Sequence, residues 1–325
     1  MLFRSSAFLV GLLPSPNGYS PCNPDDPGAG LERRNLVLKL MHEQGWLSDQ
    51  ALIDAQRRPL NIDPSACRES SYSSYPYFSD YVIGELEGTR FGLDLSGPDA
   101  GGNYAVISTI QPALQQLAQE QLKRFLEGPA AAAGLTQGAL ITVNTETGAI
   151  LAYVGGGDYG RSSFDRVQAL RQPGSTFKLV TASAALASGK YTPDSVLPGP
   201  RTYDLPDSTK VIRNWNGQAC GPGNVVTLRQ ALAISCNTAF AWLGNQLGDD
   251  ALRQQAQSMG FDTSFEIPLR AATSRFPENP DDPQTAMSAI GQFDVRATAL
   301  QMAMVAAAIA NNGVTMNPYL VQEVR

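Results

Sequence analysis

Hydrophobic positions recur with helical spacing in several parts of this chain. Residues 31–58 predict two amphipathic helices broken near Gly45, and Pro59 ends that pattern. Pro112–Glu127 predicts a further helix, because proline is tolerated in the first turn. Thr298–Ala310 is apolar at almost every position, which predicts a helix buried on most of its faces.

Other stretches predict strands and a boundary. Residues 104–110 alternate between apolar and polar positions, as in a strand. The apolar runs 138–144 and 149–154 flank a turn in which Gly148 supplies a positive φ, and together they predict a β-hairpin. Residues 61–103 are rich in Ser, Tyr, Pro, Gly and Asp, which predicts a linker.

A block of helices follows the hairpin. The pattern predicts helices over 175–187, from Thr227 as N-cap to 232, over 237–247 and over 249–259. No strand–helix–strand alternation appears, so nothing indicates a parallel sheet.

Composition and charge exclude some functions. The chain has 325 residues, of which 43% are hydrophobic and 17% charged, as in a globular protein of one large domain or two. The net charge of -6 argues against nucleic acid as a partner. The apolar run Ala7–Leu13 is too short to span a membrane and lacks a signal-peptide cleavage site, so we expect no export signal in this chain.

Histidine and cysteine usage excludes further chemistry. The only histidine, His42, lies in a predicted helix and is expected to be a surface residue, which argues against a Ser-His-Asp mechanism. The four cysteines form no C-x-x-C pair, so neither a metal site nor a cofactor is expected.

Ser175 and Lys178 are the first candidate catalytic pair. Their spacing puts both on one face of a predicted helix, about 4.5 Å apart along its axis. Serine becomes nucleophilic when a base takes its proton, and lysine can do so if burial lowers its pKa. Backbone N–H groups at the helix start would stabilise an oxyanion.

Ser235 and Asn237 form a second polar element between two predicted helices. The Ser235 hydroxyl can bond a lysine, and the Asn237 amide can hold the lysine or a substrate carbonyl. Helix capping is the alternative interpretation of both residues.

These elements in this order resemble penicillin-binding transpeptidases and serine β-lactamases. The resemblance rests on the hairpin at 138–155 and on three further segments: Arg171-Gln-Pro-Gly-Ser-Thr-Phe-Lys178, Leu232-Ala-Ile-Ser-Cys-Asn-Thr-Ala-Phe240, and Ala289-Ile-Gly-Gln292 with Ala299-Leu-Gln-Met302. Residues 11–47 are similar to the last helices of a peptidoglycan glycosyltransferase domain, and Tyr75–Val82 resembles the linker after it. The chain therefore resembles members of the bifunctional class A branch of penicillin-binding proteins.

The resemblance implies an α+β fold of the serine β-lactamase and transpeptidase kind, an antiparallel sheet with a helical subdomain. Residues 1–62 are expected to be the end of a glycosyltransferase domain, 63–110 a linker, and 111–325 the transpeptidase domain. The implied reaction is acyl transfer from D-Ala-D-Ala stem peptides, with Ser175 as nucleophile and Lys178 as its base. Ser235 and Asn237 position the lysine and the substrate amide, and Asn237 and Thr238 are expected to bind substrate.

The family's Lys-Thr-Gly triplet is absent, since none of the five lysines is followed by Thr-Gly. In the family it lies on a later strand, so we expect the sheet to be incomplete, the hairpin to keep an unpaired apolar edge and the isolated chain to acylate poorly. Two alternatives therefore stay open: a D,D-carboxypeptidase or β-lactamase that uses water as acceptor, and an inactive scaffold.

The resemblance also implies partners and a location. Stem peptides, lipid-linked glycan and β-lactam antibiotics are the expected ligands, and the parent protein is expected at the outer face of a bacterial membrane, anchored in its full-length form. In that oxidising environment Cys220 and Cys236, 16 residues apart, either form a disulfide or remain thiols.

Overall fold

The computed structural model describes residues 2–15, 18–23, 26–62, 73–87, 91–93, 95, 104–263 and 272–325. The chain divides into two compact units, one of residues 1–79 with 158–164 and one of residues 80–157 with 165–325. The boundary at residue 79 falls inside the segment interpreted as a linker, and the domain limits stay a prediction. No helix in the described ranges is long and apolar enough to cross a membrane.

Three helices lie in the described part of the first 62 residues. The two helices predicted over 31–58 are confirmed, and Gly45 breaks them with a φ of +77°. The fully buried Leu38 packs with Ala7 and Ala55 in the core of these helices. The apolar run near the N-terminus is helical. The helices are α1 (Leu2–Leu12), α2 (Ala29–Glu43) and α3 (Asp49–Gln56).

A fourth helix, α4 (Pro76–Glu87), lies within the segment interpreted as a linker, and the sequence pattern did not predict it. Pro76 is in the first turn, and Tyr81, Val82 and Leu86 form a buried stripe. The Ser- and Tyr-rich composition masked this helical period. Most other residues of the predicted linker lie outside the described ranges.

The described strands of the second unit pair in four antiparallel ladders of two strands each, and the predicted strand and hairpin are confirmed. The pairs are β1 (Val106–Ser108) with β8 (Val321–Val324), β2 (Leu140–Val143) with β3 (Ile150–Val154), β4 (Val196–Pro198) with β7 (Val225–Thr227), and β5 (Thr202–Asp204) with β6 (Val211–Arg213).

Gly148 closes the hairpin and joins it to the chain before β8. Its φ is +80°, and a Cβ there would lie 2.3 Å from the carbonyl oxygen of Asn317. Only glycine fits so close an approach. Ala149 forms a parallel bridge with Tyr319 beside this contact.

The outer edge of β3 is hydrogen-bonded, so the unpaired edge expected of the hairpin lies on its other strand, β2. The carbonyl of Tyr319 accepts from Ile150, and the carbonyl of Leu151 accepts from Gln111. The buried Gln115 amide bonds both the N–H and the carbonyl of Tyr153, at 2.7 and 2.9 Å. Among the described strands, β2 pairs with β3 alone.

The helices of the second unit follow the sequence pattern closely, apart from the start of α7 and the unpredicted α6 and α11. They are α5 (Pro112–Glu127), α6 (Pro129–Ala132), α7 (Lys178–Ala187), α8 (Leu228–Ala233), α9 (Asn237–Leu247), α10 (Asp249–Ser258), α11 (Asp282–Ser288) and α12 (Ala299–Ala310).

Close packing of α9 against the end of α11 brings the helix termini of the site together. A Cβ at Gly244 would lie 2.4 Å from the Cβ of Ala289, so a larger residue does not fit between these helices. Phe240 and Leu243 of α9 are fully buried in the same cluster. The beginnings of α7 and α9 meet beside this core.

Candidate active site

Ser175 lies in a 3₁₀ turn, Gly174–Phe177, directly before α7. The sequence predicted an α-helix from residue 175, so its start was placed three residues too early. Gly174 has a φ of +55°, which no α-helix contains, and a 3₁₀ turn is a common entry to a helix. The turn leaves Ser175 exposed while Lys178 is fully buried.

Backbone carbonyls at and after the end of α11 accept three hydrogen bonds that hold this turn. Gly174 donates its N–H to the carbonyl of Gly291 at 2.9 Å, and the Gln172 amide donates to the carbonyl of Phe293 at 2.6 Å. From α7, the Thr181 hydroxyl donates to the carbonyl of Ala289 at 2.8 Å. These hydrogen bonds on both sides of Ser175 in the sequence therefore fix the backbone that presents it.

The Lys178 ammonium nitrogen contacts four oxygen atoms of three residues. Nζ lies 3.1 Å from Ser175 Oγ, 3.0 Å from Ser235 Oγ, 2.8 Å from the Ser235 carbonyl oxygen and 2.7 Å from Asn237 Oδ1. The Phe240 ring centroid is 5.7 Å away. The structure thus brings the four predicted residues together around one amine.

Burial lowers the pKa of Lys178 from 10.5 to about 8, because the charged amine loses its hydration. At pH 7 about one amine in ten is then neutral, against roughly one in three thousand for a lysine in water. A neutral amine 3.1 Å from the serine oxygen can accept its proton.

The pH dependence of acylation follows from this pKa. The reactive form is the neutral amine, so the acylation rate constant is expected to rise about tenfold per pH unit below pH 8 and to level off above it. Stopped-flow measurement with a reporter β-lactam checks this. A rate that is constant between pH 6 and 9, or still rising steeply above pH 10, contradicts it.

Ser235 has a left-handed backbone conformation, with a φ of +58°, just after α8 ends. Glycine is the usual residue at such a helix end. Serine here adds a hydroxyl, and its carbonyl and hydroxyl both face Lys178. The strained conformation is therefore combined with a functional side chain.

Cys236, between Ser235 and Asn237, forms a disulfide with Cys220, with the two Cα atoms 6.0 Å apart. Of the two alternatives left open by the sequence, the structure has the disulfide, which ties the start of α9 to the loop after β6. Replacing both cysteines by serine is expected to lower the free energy of unfolding by up to about 3 kcal/mol. Urea unfolding without reductant measures this, and a non-reducing digest without a linked Cys220–Cys236 peptide refutes it.

Thr238 was expected to bind substrate, and that role stays a prediction, but the structure buries this residue. Its side chain is fully buried, and its hydroxyl donates to the carbonyl of Pro200 at 2.8 Å. The hydroxyl therefore bonds the backbone on the inner face of the first turn of α9.

Two residues of the site were not predicted from the sequence, Asn214 and Gly291. Asn214 bonds the start of α9 from a loop 23 residues upstream. Gly291 contacts the serine turn across more than 100 residues of chain. The segment Ala289-Ile-Gly-Gln292 carries part of the family resemblance. Nothing in the sequence indicates that it contacts residue 174.

His42 has a local contact, since its Nε2 lies 2.6 Å from Asp49 Oδ1 at the surface. The described residues contain no cluster of three or more His, Cys, Asp or Glu side chains with metal-binding geometry.

Comparison with known proteins identifies the family. Residues 138–325, more than half of the chain, match the penicillin-binding protein transpeptidase domain. The peptidoglycan D,D-transpeptidase PbpA of Mycolicibacterium smegmatis is 38% identical over 74% of this chain and 52% of its own length. Penicillin-binding protein 1A of Mycobacterium tuberculosis is 29% identical over 98% of this chain and 37% of its own.

A solved structure gives the same result. Penicillin-binding protein A of M. tuberculosis, as its penicillin G acyl-enzyme complex, superposes with a TM-score of 0.62 at 34% identity, covering 72% of this chain and 59% of that one. The predicted transpeptidase and β-lactamase fold class is confirmed. The chain spans about half the length of the curated PbpA relatives it matches.

Proposed function

We propose that this chain, which belongs to the family of penicillin-binding protein transpeptidase domains, carries the acyl-transfer centre of a peptidoglycan D,D-transpeptidase. The observation that carries the proposal is the buried Lys178 amine, with its lowered pKa, 3.1 Å from Ser175 Oγ. Relatives that are named D,D-transpeptidases support it.

The first step is acylation of Ser175. Its oxygen attacks the penultimate D-Ala carbonyl of a stem peptide while the neutral Lys178 amine takes the hydroxyl proton. The C–N bond then breaks, and terminal D-Ala leaves as an amine that gains a proton. Ser235 Oγ, 3.0 Å from Nζ, is placed to pass that proton from the lysine to the leaving amine.

The second step releases the acyl group. The amine of a neighbouring stem peptide attacks the ester carbonyl and loses a proton to Lys178. Lys178 passes this proton to the Ser175 oxygen, which leaves as a hydroxyl. Asn237, whose Oδ1 lies 2.7 Å from Nζ, orients the lysine through both steps. A β-lactam follows the first step alone, because its opened ring stays attached and blocks the acceptor.

We also propose that the parent protein belongs to the bifunctional class A branch. The 1A relative aligns over 98% of this chain, and so includes residues upstream of the transpeptidase domain, whereas PbpA aligns over 74%. We propose that residues 1–62 end a glycosyltransferase domain whose substrate is lipid-linked glycan. No polymerase residue is assigned in this chain.

We propose the outer face of the bacterial membrane as the location of the full-length, membrane-anchored protein. The Cys220–Cys236 disulfide supports this, since such bonds form in oxidising compartments.

Fluorescent penicillin labelling of the full-length protein tests the acyl-enzyme. Labelling is expected in the wild type and in a Ser188→Ala control at the far end of α7, and is expected to be absent in Ser175→Ala. Folded wild-type protein without label supports the scaffold alternative instead.

Release of D-Ala from a stem peptide distinguishes transfer from hydrolysis. A transpeptidase is expected to release D-Ala faster when an acceptor amine is added and to form the cross-linked product. Release that is independent of the acceptor, with only the shortened peptide as product, indicates a carboxypeptidase.

A further inference from the structure

The helix α9 starts without an efficient cap of its own. Its N-cap residue is Cys236, whose sulfur accepts from the N–H of Ala239 at 3.4 Å. Sulfur is a weak acceptor, and this atom is also part of the disulfide. The first N–H groups of any helix lack partners within the helix, so those of Asn237 and Thr238 need an acceptor from elsewhere.

Asn214 supplies that acceptor from the end of β6. Its Oδ1 accepts from the N–H of Asn237 at 3.0 Å and of Thr238 at 3.2 Å. Its Nδ2 donates to the carbonyls of Pro200 at 3.1 Å and Gln218 at 2.8 Å. The side chain is buried, and these bonds fix which way its amide faces.

The residue before Asn214 fixes the side chain of Asn237 as well. Asn237 Nδ2 donates to the Arg213 carbonyl at 3.0 Å, so its Oδ1 faces Lys178 Nζ at 2.7 Å. The opposite amide orientation would set two donors against each other. Two adjacent residues at the end of β6 therefore hold the backbone and the side chain of Asn237.

We infer that Asn214 is a positioning residue of the acyl-transfer reaction, which caps α9 from the loop after β6 and thereby holds Asn237 and Ser235 against Lys178. This inference rests on the proposed function. Asn214 lies one residue beyond Arg213, and its buried side chain bonds peptide groups and the Thr238 hydroxyl. We therefore expect it to act through Asn237 and not on substrate.

Three variants test the inference in the full-length protein, with penicillin as probe. Asn214→Leu keeps the branched shape at Cγ and removes every side-chain hydrogen bond, and is expected to slow acylation of Ser175 about 100-fold. Asn214→Asp keeps the acceptor for the two N–H groups and is expected to retain the rate within about tenfold. Asn216→Leu is the matched control, because this exposed side chain bonds only the N–H of Gln218 in the same loop.

The readout separates positioning from folding. The first-order acylation rate constant at saturating penicillin is measured on folded molecules alone, so loss of folded protein lowers the labelled amplitude and leaves the rate unchanged. Positioning is expected to lower this rate constant and to leave the half-saturating penicillin concentration within about threefold.

Two kinds of result would overturn two different claims. Wild-type rates in Asn214→Leu, or equal loss in Asn216→Leu, overturn the inference and leave the proposed function intact. Folded wild-type protein that is not labelled on Ser175 overturns the proposed function itself.

Discussion

Replacing Lys178 by methionine is expected to slow acylation of Ser175 by about 10²- to 10⁴-fold, the range of a positioned general base. Methionine matches the unbranched lysine stem and fills the same buried volume without an amine. The serine then keeps its place and loses the group that takes its proton. The acylation rate constant with penicillin in the full-length protein measures the effect.

The control for this substitution is Lys190→Met, an exposed lysine just beyond the end of α7, which is expected to acylate at the wild-type rate. We expect Lys178→Met to remain folded, because it removes a buried amine whose charged form is destabilised by burial. A folded Lys178→Met protein that acylates as fast as the wild type would show that another group accepts the proton.

Gly291→Ala is expected to slow acylation by about 100-fold or more, because it displaces the turn that presents Ser175. A Cβ at this position would lie 2.0 Å from the carbonyl oxygen of Gly174 and 2.8 Å from its nitrogen. No side-chain movement relieves a clash between two backbones. The φ of +71° at Gly291 adds strain for any other residue.

A substitution at a second glycine is the control that distinguishes displacement of the serine from backbone strain alone. Gly189, just beyond α7, has a φ of +69°, and a Cβ there would meet nothing within 4 Å. Gly189→Ala is therefore expected to lower stability by about 1 kcal/mol and to leave the acylation rate unchanged. Equal rates in Gly291→Ala and wild-type protein, with both folded, contradict the proposed role of this contact.

Local patterns in the sequence predicted most elements of the second unit. Pro112 and Thr227 start helices as their chemistry requires, and Gly148 turns the hairpin. The spacing of Ser175 and Lys178 was enough to place both at one helix start, although a 3₁₀ turn replaced the first α-helical residues. These features depend on neighbours a few residues away.

The missed features depend on contacts between distant residues. The Asn214 amide bonds the start of α9 only because β6 ends beside it, and nothing in residues 211–218 indicates this. Thr238 was expected to bind substrate, but the helical rotation of one residue from Asn237 turns its side chain into the core. The spacing of Ser175 and Lys178 predicted the reactive pair. The neighbours that hold this pair in place depend on tertiary packing, which the spacing does not indicate.

The claim on which this account depends is that burial leaves the Lys178 amine neutral enough to accept a proton from Ser175. Lysine-selective isotope labelling of this chain gives five signals, of which Lys178→Met removes one. Nuclear magnetic resonance titration is expected to show that this signal changes with a midpoint near pH 8. A midpoint near 10.5 for the same signal in the folded protein would contradict the account.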